Sequence, residues 1–333
     1  MSLHIRTFQT ARRIVTALLI VAVTASLVTF AVSAMTDQES TDRSTRNVLL
    51  LCLDETGYNT DAIVVISIPR TGSTVSVMQI PRDTYASTGE ENCKINRLYY
   101  RFYERYGEER QALSAFSEFL ARHLAMPIDN SILFSLDKVE VLVDAIGGVD
   151  VELPDRLFYQ DPAADLTIDL PKGKQHLDGK NAVKLARYRS GYKNGDLGRL
   201  DAQKLLIFSI VTKLKDDLSL SSCVKLATLL QKKAITDMSL RDAVSIALFL
   251  GKNRNAVELL LFTAPGEATR YYGNTGTWYF SLNKSALSDA ASRFFDSDAA
   301  EFDPDGIFLG KSVAMQNIYF DTNMKIKEYT ASS

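Results

Sequence analysis

Three arginines, Arg187, Arg189 and Arg199, fall within thirteen positions of residues 185–203, LARYRSGYKNGDLGRLDAQ. Gly195, Asp196 and Gly198 lie between the second and third, and Gln203 follows one helical turn after the last. From Lys180 to Lys204 there are seven Lys or Arg against two Asp, a local charge of about +5 in a chain whose net charge is −2. Such an excess calls for an anionic partner. Guanidinium forks match phosphate oxygens two at a time and stay charged at any working pH, so the chemistry suggested is the holding of a phosphate or pyrophosphate. The glycines let backbone approach a ligand and open a helix N-terminus toward it. The plainer reading is a solvated basic helix face. A second set of groups is acidic. Residues 47–54 (NVLLLCLD) read as a buried strand ending in Asp54, and 61–69 (DAIVVISIP) as a strand beginning with Asp61. Two carboxylates at one edge of adjacent strands suit magnesium or manganese, which share oxygen ligands with substrate phosphates. The competing reading has one Asp capping a turn and the other solvated.

These groups must be positioned by a sheet and its helices. Residues 73–80 form a third strand, joined to the second by a turn at Arg70-Thr71-Gly72, and Pro81 stops it so that Arg82 and Asp83 sit on its exit loop. Lys94-Ile95-Asn96 precedes an aromatic helix start, RLYYRFYERY, and 111–124 carries apolar residues at helical spacing, core by default. Strand 130–136, helix 137–146 and strand 149–153 read as a β-helix-β unit, so a sheet with helices packed on it is expected. A short strand at 166–170, a helix at 181–187, helices at 199–213, 220–232 and 239–250, a strand at 257–263, a loop at 265–278 and a last helix at 285–295 complete the pattern.

With 333 residues, 46% apolar and 23% charged, the chain is long enough for a large core, and a pI near 6 argues against a general nucleic-acid binder. His4, His123 and His176 stand alone, and Cys52, Cys93 and Cys223 contain no Cys-x-x-Cys pair, so a zinc site or a histidine-based triad has little support. One disulfide among the three cysteines remains open. Residues 14–35 carry no charge over 22 positions, enough to cross a hydrocarbon layer of roughly 30 Å. Arg6, Arg12 and Arg13 precede this stretch and Asp37, Glu39 and Asp42 follow it, which puts 1–13 in the cytoplasm, 14–35 in the membrane, 36–46 as a linker and the rest outside. A cleaved signal peptide competes, because Val32-Ser33-Ala34 resembles a cleavage site, but its apolar region would exceed the usual length.

Together, the Asp-ended first strand, Thr60-Asp61, Ile80-Pro81-Arg82-Asp83-Thr84, Lys94-Ile95-Asn96, Arg187-x-Arg189 and Asp196-x-Gly198-Arg199 with Gln203 resemble the LytR-CpsA-Psr family over roughly 46–282. The resemblance implies an α/β fold, a three-layer α/β/α sandwich with a central mixed sheet over 47–299, a C-terminal extension over 300–333, and a place on the outer face of a Gram-positive-type membrane. It implies transfer of a glycopolymer, such as teichoic acid or capsular polysaccharide, from a polyprenyl pyrophosphate carrier to peptidoglycan with Mg2+. By position, Asp54 and Asp61 match the metal-side aspartates, and Arg82, Lys94, Arg187, Arg189, Arg199 and Gln203 match the residues around the pyrophosphate, with the polyprenyl chain in an apolar tunnel. Three departures stand out: Glu55 to Thr60 lacks the arginines usual in that loop, Ala62 stands where Thr is usual, and Ala202 replaces a common arginine.

The chemistry implied is attack of a sugar hydroxyl on phosphorus, with Mg2+, Arg82, Arg187 and Arg189 stabilising charge and Asp54 assisting the hydroxyl. A hydrolase using water on the same site, or a non-catalytic binder of lipid or polymer that regulates the envelope, are the alternatives.

Overall fold

The structure, a computed structural model, describes residues 43–297 apart from 90–91, 125, 163–165, 190–195, 218–219, 254 and 272–276, together with the pair Met315–Gln316. The expected membrane segment at 14–35 lies outside these residues. Among the described residues, no helix is long and apolar enough to cross a membrane.

The strands are β1 (Thr45–Leu53), β2 (Thr60–Pro69), β3 (Thr74–Ile80), β4 (Tyr85–Ser87), β5 (Asn92–Lys94), β6 (Asn130–Ser135), β7 (Val149–Leu153), β8 (Leu157–Asp161), β9 (Leu166–Leu170), β10 (Gly173–Leu177), β11 (Ile235–Thr236), β12 (Glu258–Thr263), β13 (Gly266–Tyr271), β14 (Trp278–Leu282) and β15 (Met315–Gln316). The helices are α1 (Leu98–Tyr106), α2 (Glu109–Leu124), α3 (Leu136–Ala145), α4 (Gly179–Arg187), α5 (Asp196–Asp217), α6 (Leu220–Lys233), α7 (Leu240–Lys252) and α8 (Lys284–Phe294).

The central sheet has the order β11-β6-β1-β2-β3-β12. It is mixed: β1 pairs with β6 and β3 with β12 in parallel, while β1-β2, β2-β3 and β6-β11 are antiparallel. Near-continuous apolar runs such as that of β1 are expected where both faces of a strand are covered. On one face Leu49, Leu51, Ile63, Met78 and Ile80 pack with Phe102 of α1, Phe116 and Leu120 of α2 and Leu287 of α8. On the other, Val48, Val64, Val77 and Ile132 pack with Ile207 and Phe208 of α5, Leu230 of α6 and Ile246 and Phe249 of α7. The alternating strand periodicity of β1 therefore sends successive side chains into two different cores.

A separate cluster gathers β7 to β10, α3, α4 and the first half of α5 around Val149, Ile168, Leu170, Leu177 and Leu185. Here the sequence expectation needs correcting. The β7 strand does not extend the main sheet beside β6; it pairs antiparallel with β10 in a two-stranded ribbon. Its burial alternates strictly, so one face meets solvent, as suits a ribbon and not a sheet covered on both sides. Residues 265–278, expected as a loop, contain β13 and the start of β14, and β15 from the expected C-terminal extension pairs with β13.

Close packing of α4 depends on Gly179, because a Cβ there would lie 2.2 Å from the carbonyl oxygen of Glu140 on α3. Only glycine permits that approach.

Candidate active site

Four strands of the central sheet, β1, β3, β6 and β12, run in the same direction, so their carboxyl ends share one edge. Open α/β sheets hold their ligands outside such an edge. Asp54 follows β1, Arg82 and Asp83 follow β3, Asp137 follows β6, and Thr263 ends β12. The amino end of the antiparallel β2 brings Asp61 to the same place.

The loop from Asp54 to Thr60 is a tight turn built on the Asp54 carboxylate. One carboxylate oxygen accepts from the Thr56 hydroxyl at 2.6 Å and the Thr56 amide at 3.1 Å, and the other from the Asn59 side-chain amide at 2.8 Å. Short polar side chains closing on their own backbone are a standard way to stabilise such a turn. Gly57, at φ +74°, supplies the left-handed residue the loop requires. Partial burial pushes the Asp54 carboxyl up, but the hydrogen bonds from Thr56, Asn59 and the Tyr58 backbone outweigh it and hold the group below the usual carboxylate range.

Asp61 is shared by two arginines. Arg82 Nη1 donates to its carboxylate at 2.6 Å and Arg199 Nη1 to the same oxygen at 3.2 Å. The Arg199 side chain, in the first turn of α5, is only 4% exposed. Asp61 thus offsets part of the cost of burying that guanidinium. The Arg82 loop is fixed from below: the Asn96 amide donates to the Arg82 carbonyl at 3.2 Å and the Ile95 amide to that of Thr84 at 2.7 Å. With the β4-β5 pairing, this knits 80–84 to 94–96 and sets the Lys94 ammonium 3.0 Å from Asp83.

Arg187 ends α4, where a cation suits the helix C-terminus. Its guanidinium lies 2.6 Å from Glu55, so the loop between the two aspartates is tied to α4 as well. Sequence reading missed this partnership; the available signal was an acidic residue in a loop that carries arginines in the family resembled. Arg189 is exposed two positions further on. Gln203 is buried and bonded at both ends, accepting from the Gln79 side chain on β3 and donating to the Ala186 carbonyl at 3.2 Å. It ties α5 to α4 and to the sheet. Lys204 is also buried, donating to the Thr263 hydroxyl at 3.1 Å and lying 2.8 Å from Asp201.

Contacts therefore join Asp61, Arg82 and Arg199 directly and link Arg187 through Glu55 to the turn that holds Asp54. The Cys52 thiol beneath them is pushed up to about 12, by burial first and then by the charges of Asp61, Asp137 and Asp54. The Cys93 thiol is raised to about 11 by burial, against the opposing Arg97 charge. Both thiols are buried and free, which closes the option of a Cys52–Cys93 disulfide.

Among the described residues, no three His, Cys, Asp or Glu side chains form a ready metal cage. The donor chemistry nevertheless fits magnesium: Asp54 and Asp61 offer hard carboxylate oxygens, and this ion completes its octahedron with waters and substrate oxygens. Phe102 of α1 and Phe116 and Phe119 of α2 serve as core. A cavity of about 370 Å3 opens beside them, but Arg105, Arg122 and His123 line it with Phe102, Tyr106 and Phe119, so it is not a purely apolar channel.

A model of the LytR_cpsA_psr family matches residues 20–294. The chain is 25% identical over 237 residues to the polyisoprenyl-teichoic acid–peptidoglycan teichoic acid transferase TagV of Bacillus subtilis (strain 168), a match covering 68% of this chain and 56% of that protein. The chain thus spans little more than half the length of that relative. It is 28% identical over 254 residues to the TagU transferase of Bacillus mycoides (strain KBAB4), covering 74% of this chain and 77% of the relative. The crystal structure of B. subtilis TagV superposes with a TM-score of 0.62 at 20% identity, over 78% of this chain and all of that one, a likeness of fold. The match over most of the chain, on a mixed sheet whose carboxyl edge carries the Asp and Arg groups, leads to one conclusion: the chain belongs to the LytR_cpsA_psr family.

Proposed function

We propose that this protein transfers an anionic or capsular glycopolymer from a polyprenyl pyrophosphate carrier to peptidoglycan, leaving a phosphodiester link. The observation that carries this reading is the set of guanidinium groups, Arg82, Arg187 and Arg199, drawn from three elements to one sheet edge around the Asp54–Asp61 loop. The relatives named as teichoic acid transferases support it.

A hydroxyl of the acceptor sugar attacks the phosphorus bonded to the polymer; a new P–O bond forms and the bond to the polyprenyl phosphate breaks. Polyprenyl phosphate leaves, carrying the displaced oxygen. Arg187, Arg189 and Arg82 stabilise the charge that grows on the phosphoryl and leaving oxygens, an effect that depends on donors fixed in advance. Asp54 is ionised at neutral pH, so it accepts a hydrogen bond from the hydroxyl and orients it. As a weak base, it takes the proton only late in the step. Asp54 and Asp61 would hold Mg2+ or Mn2+, which supplies Lewis-acid neutralisation of the diphosphate when bound. Lys94, Arg199 and Gln203 position the arginine frame, each through the contacts described.

Residues 14–35 act in this reading as a retained anchor, with 1–13 inside and the folded part outside the cell. Protease treatment of intact cells checks that arrangement: digestion confined to lysed cells would overturn it. The activity is tested by incubating the full-length chain with polyprenyl-pyrophosphate-linked polymer, with and without glycan strands and Mg2+. Polymer joined to glycan supports transfer. Release of polymer phosphate into water alone identifies a hydrolase, and lipid binding without turnover in any divalent metal a non-catalytic binder.

A further inference from the structure

We propose that Tyr58, Tyr100 and Tyr103 form the subsite for the acceptor, stacking on the sugar faces of a peptidoglycan glycan strand; this rests on the transferase reading above. Eight large apolar side chains are exposed among the described residues, and two of them, Tyr58 at 53% and Tyr103 at 38%, both lie against Tyr100. The Tyr58 and Tyr100 rings meet edge to face at 4.5 Å, and Tyr100 and Tyr103 lie 6.2 Å apart and tilted by 32°. Two exposed rings joined through a half-buried one, where isolated ones are the norm, mark a binding surface.

The strip is continuous with the site. Tyr58 belongs to the loop between the two aspartates, and its backbone amide donates to the Thr56 hydroxyl at 3.2 Å and to the Asp54 carboxylate. The ring is therefore mounted on the turn that Asp54 itself builds. Tyr100 is half-buried on α1 and hydrogen-bonded to Glu104, one turn further along the helix. Tyrosine is an economical residue for this work, because a large ring with two side-chain torsions loses little freedom on contact.

Position selects the acceptor over the donor. The donor end is a diphosphate and belongs with Arg82, Arg187 and Arg189. The attacking hydroxyl must arrive beside Asp54, which is where Tyr58 stands.

The test uses the full-length chain and a peptide-free tetrasaccharide of alternating N-acetylglucosamine and N-acetylmuramic acid. Calorimetry without donor should show Tyr58→Ala and Tyr103→Ala each weakening binding five- to tenfold, with Tyr58→Phe within twofold of the parent. In the transfer assay the alanine variants raise KM for the acceptor and leave KM for the lipid-linked donor and the unfolding midpoint unchanged. Tetrasaccharide binding that is absent in the parent, or unaltered in both alanine variants, overturns the subsite, as does a rise in donor KM alone. Because binding is read without donor, it survives a failure of the transferase reading; transfer with unaltered acceptor KM sinks the subsite and leaves that reading standing.

Discussion

The two ends of β1 carry arginine–aspartate pairs of the same length, yet only one end resembles a site. At the amino end Arg46 lies 2.6 Å from Asp242, Arg43 pairs with Asp129, and the buried Asn47 side chain donates to the carbonyls of Pro127 and Phe295 at 2.8 and 2.7 Å. Each carboxylate there has a second structural duty. Asp242 accepts from Ser239 at the start of α7, and Asp129 from the Asn47 amide at 2.7 Å. Arg43 and Arg46 are each matched by a carboxylate, and the cluster closes the fold. At the carboxyl end Asp61 serves two arginines, Arg187 leans on an exposed loop glutamate, and Arg189 faces solvent. Pair distance alone does not separate the two ends. What differs is the setting: at the carboxyl end several guanidinium groups from separate elements meet at the open edge where the parallel strands end, and one of them leans on an exposed loop side chain.

The contrast is tested most strongly by removing one arginine at each end. Arg187→Ala should lower transfer by on the order of 10² to 10³ without altering the unfolding midpoint, as for loss of a charge-stabilising donor. Arg46→Ala should leave turnover unchanged. Equal losses of turnover in both variants would erase the distinction.

The carboxylates provide a second comparison, read in denaturant. Asp61→Asn strips charge from the buried Arg199 and should destabilise the chain by about 3 kcal/mol. Asp242→Asn should cost about 1 kcal/mol, since its pair is partly exposed. A reversed order would mean that the amino end, not the site, holds the more demanding charge.

A smaller effect is expected at the loop. Glu55→Gln releases Arg187 from its internal partner, so inorganic pyrophosphate should bind several-fold tighter by calorimetry, on the scale of an exposed ion pair, below about 1 kcal/mol. Unchanged affinity would show that Glu55 does not compete for that arginine.

The smallest difference lies in acid. Partial burial pushes the Asp242 carboxyl up, but hydrogen bonds from Ser239 and Arg46 outweigh it and hold the group below its ordinary value. Its contribution to stability is therefore fully present above the unfolded value of about 4 and fades as pH falls through the lower folded one. Ser239→Ala should move the acid-unfolding midpoint upward. Thr56→Ala, which removes one of the bonds to Asp54, should instead move the acid limb of transfer upward with little change in unfolding.

Gly179 links lobe packing to the site. Any side chain there meets the Glu140 carbonyl, so Gly179→Ala should push α4 from α3 and carry Arg187 with it.

Much was written in the sequence because it rests on local rules. Apolar runs bounded by Asp, Pro and Gly located β1, β2, β3, β6 and β12, and helical spacing located α1, α2 and α5 to α8, since periodicity and breakers act within a few residues. The motifs also announced which arginines and aspartates to watch. Pairing between distant segments was not available in the same way. That β7 joins β10 and leaves the main sheet, that β13 and the start of β14 occupy an expected loop, that Gln203 is bonded at both ends inside the protein, and that Glu55 reaches Arg187 were all settled by which surfaces could be buried together. The residues by themselves determined the charge and the elements; only the folded chain decided who stands next to whom, because burial and ion pairing are paid in contacts that no local stretch contains.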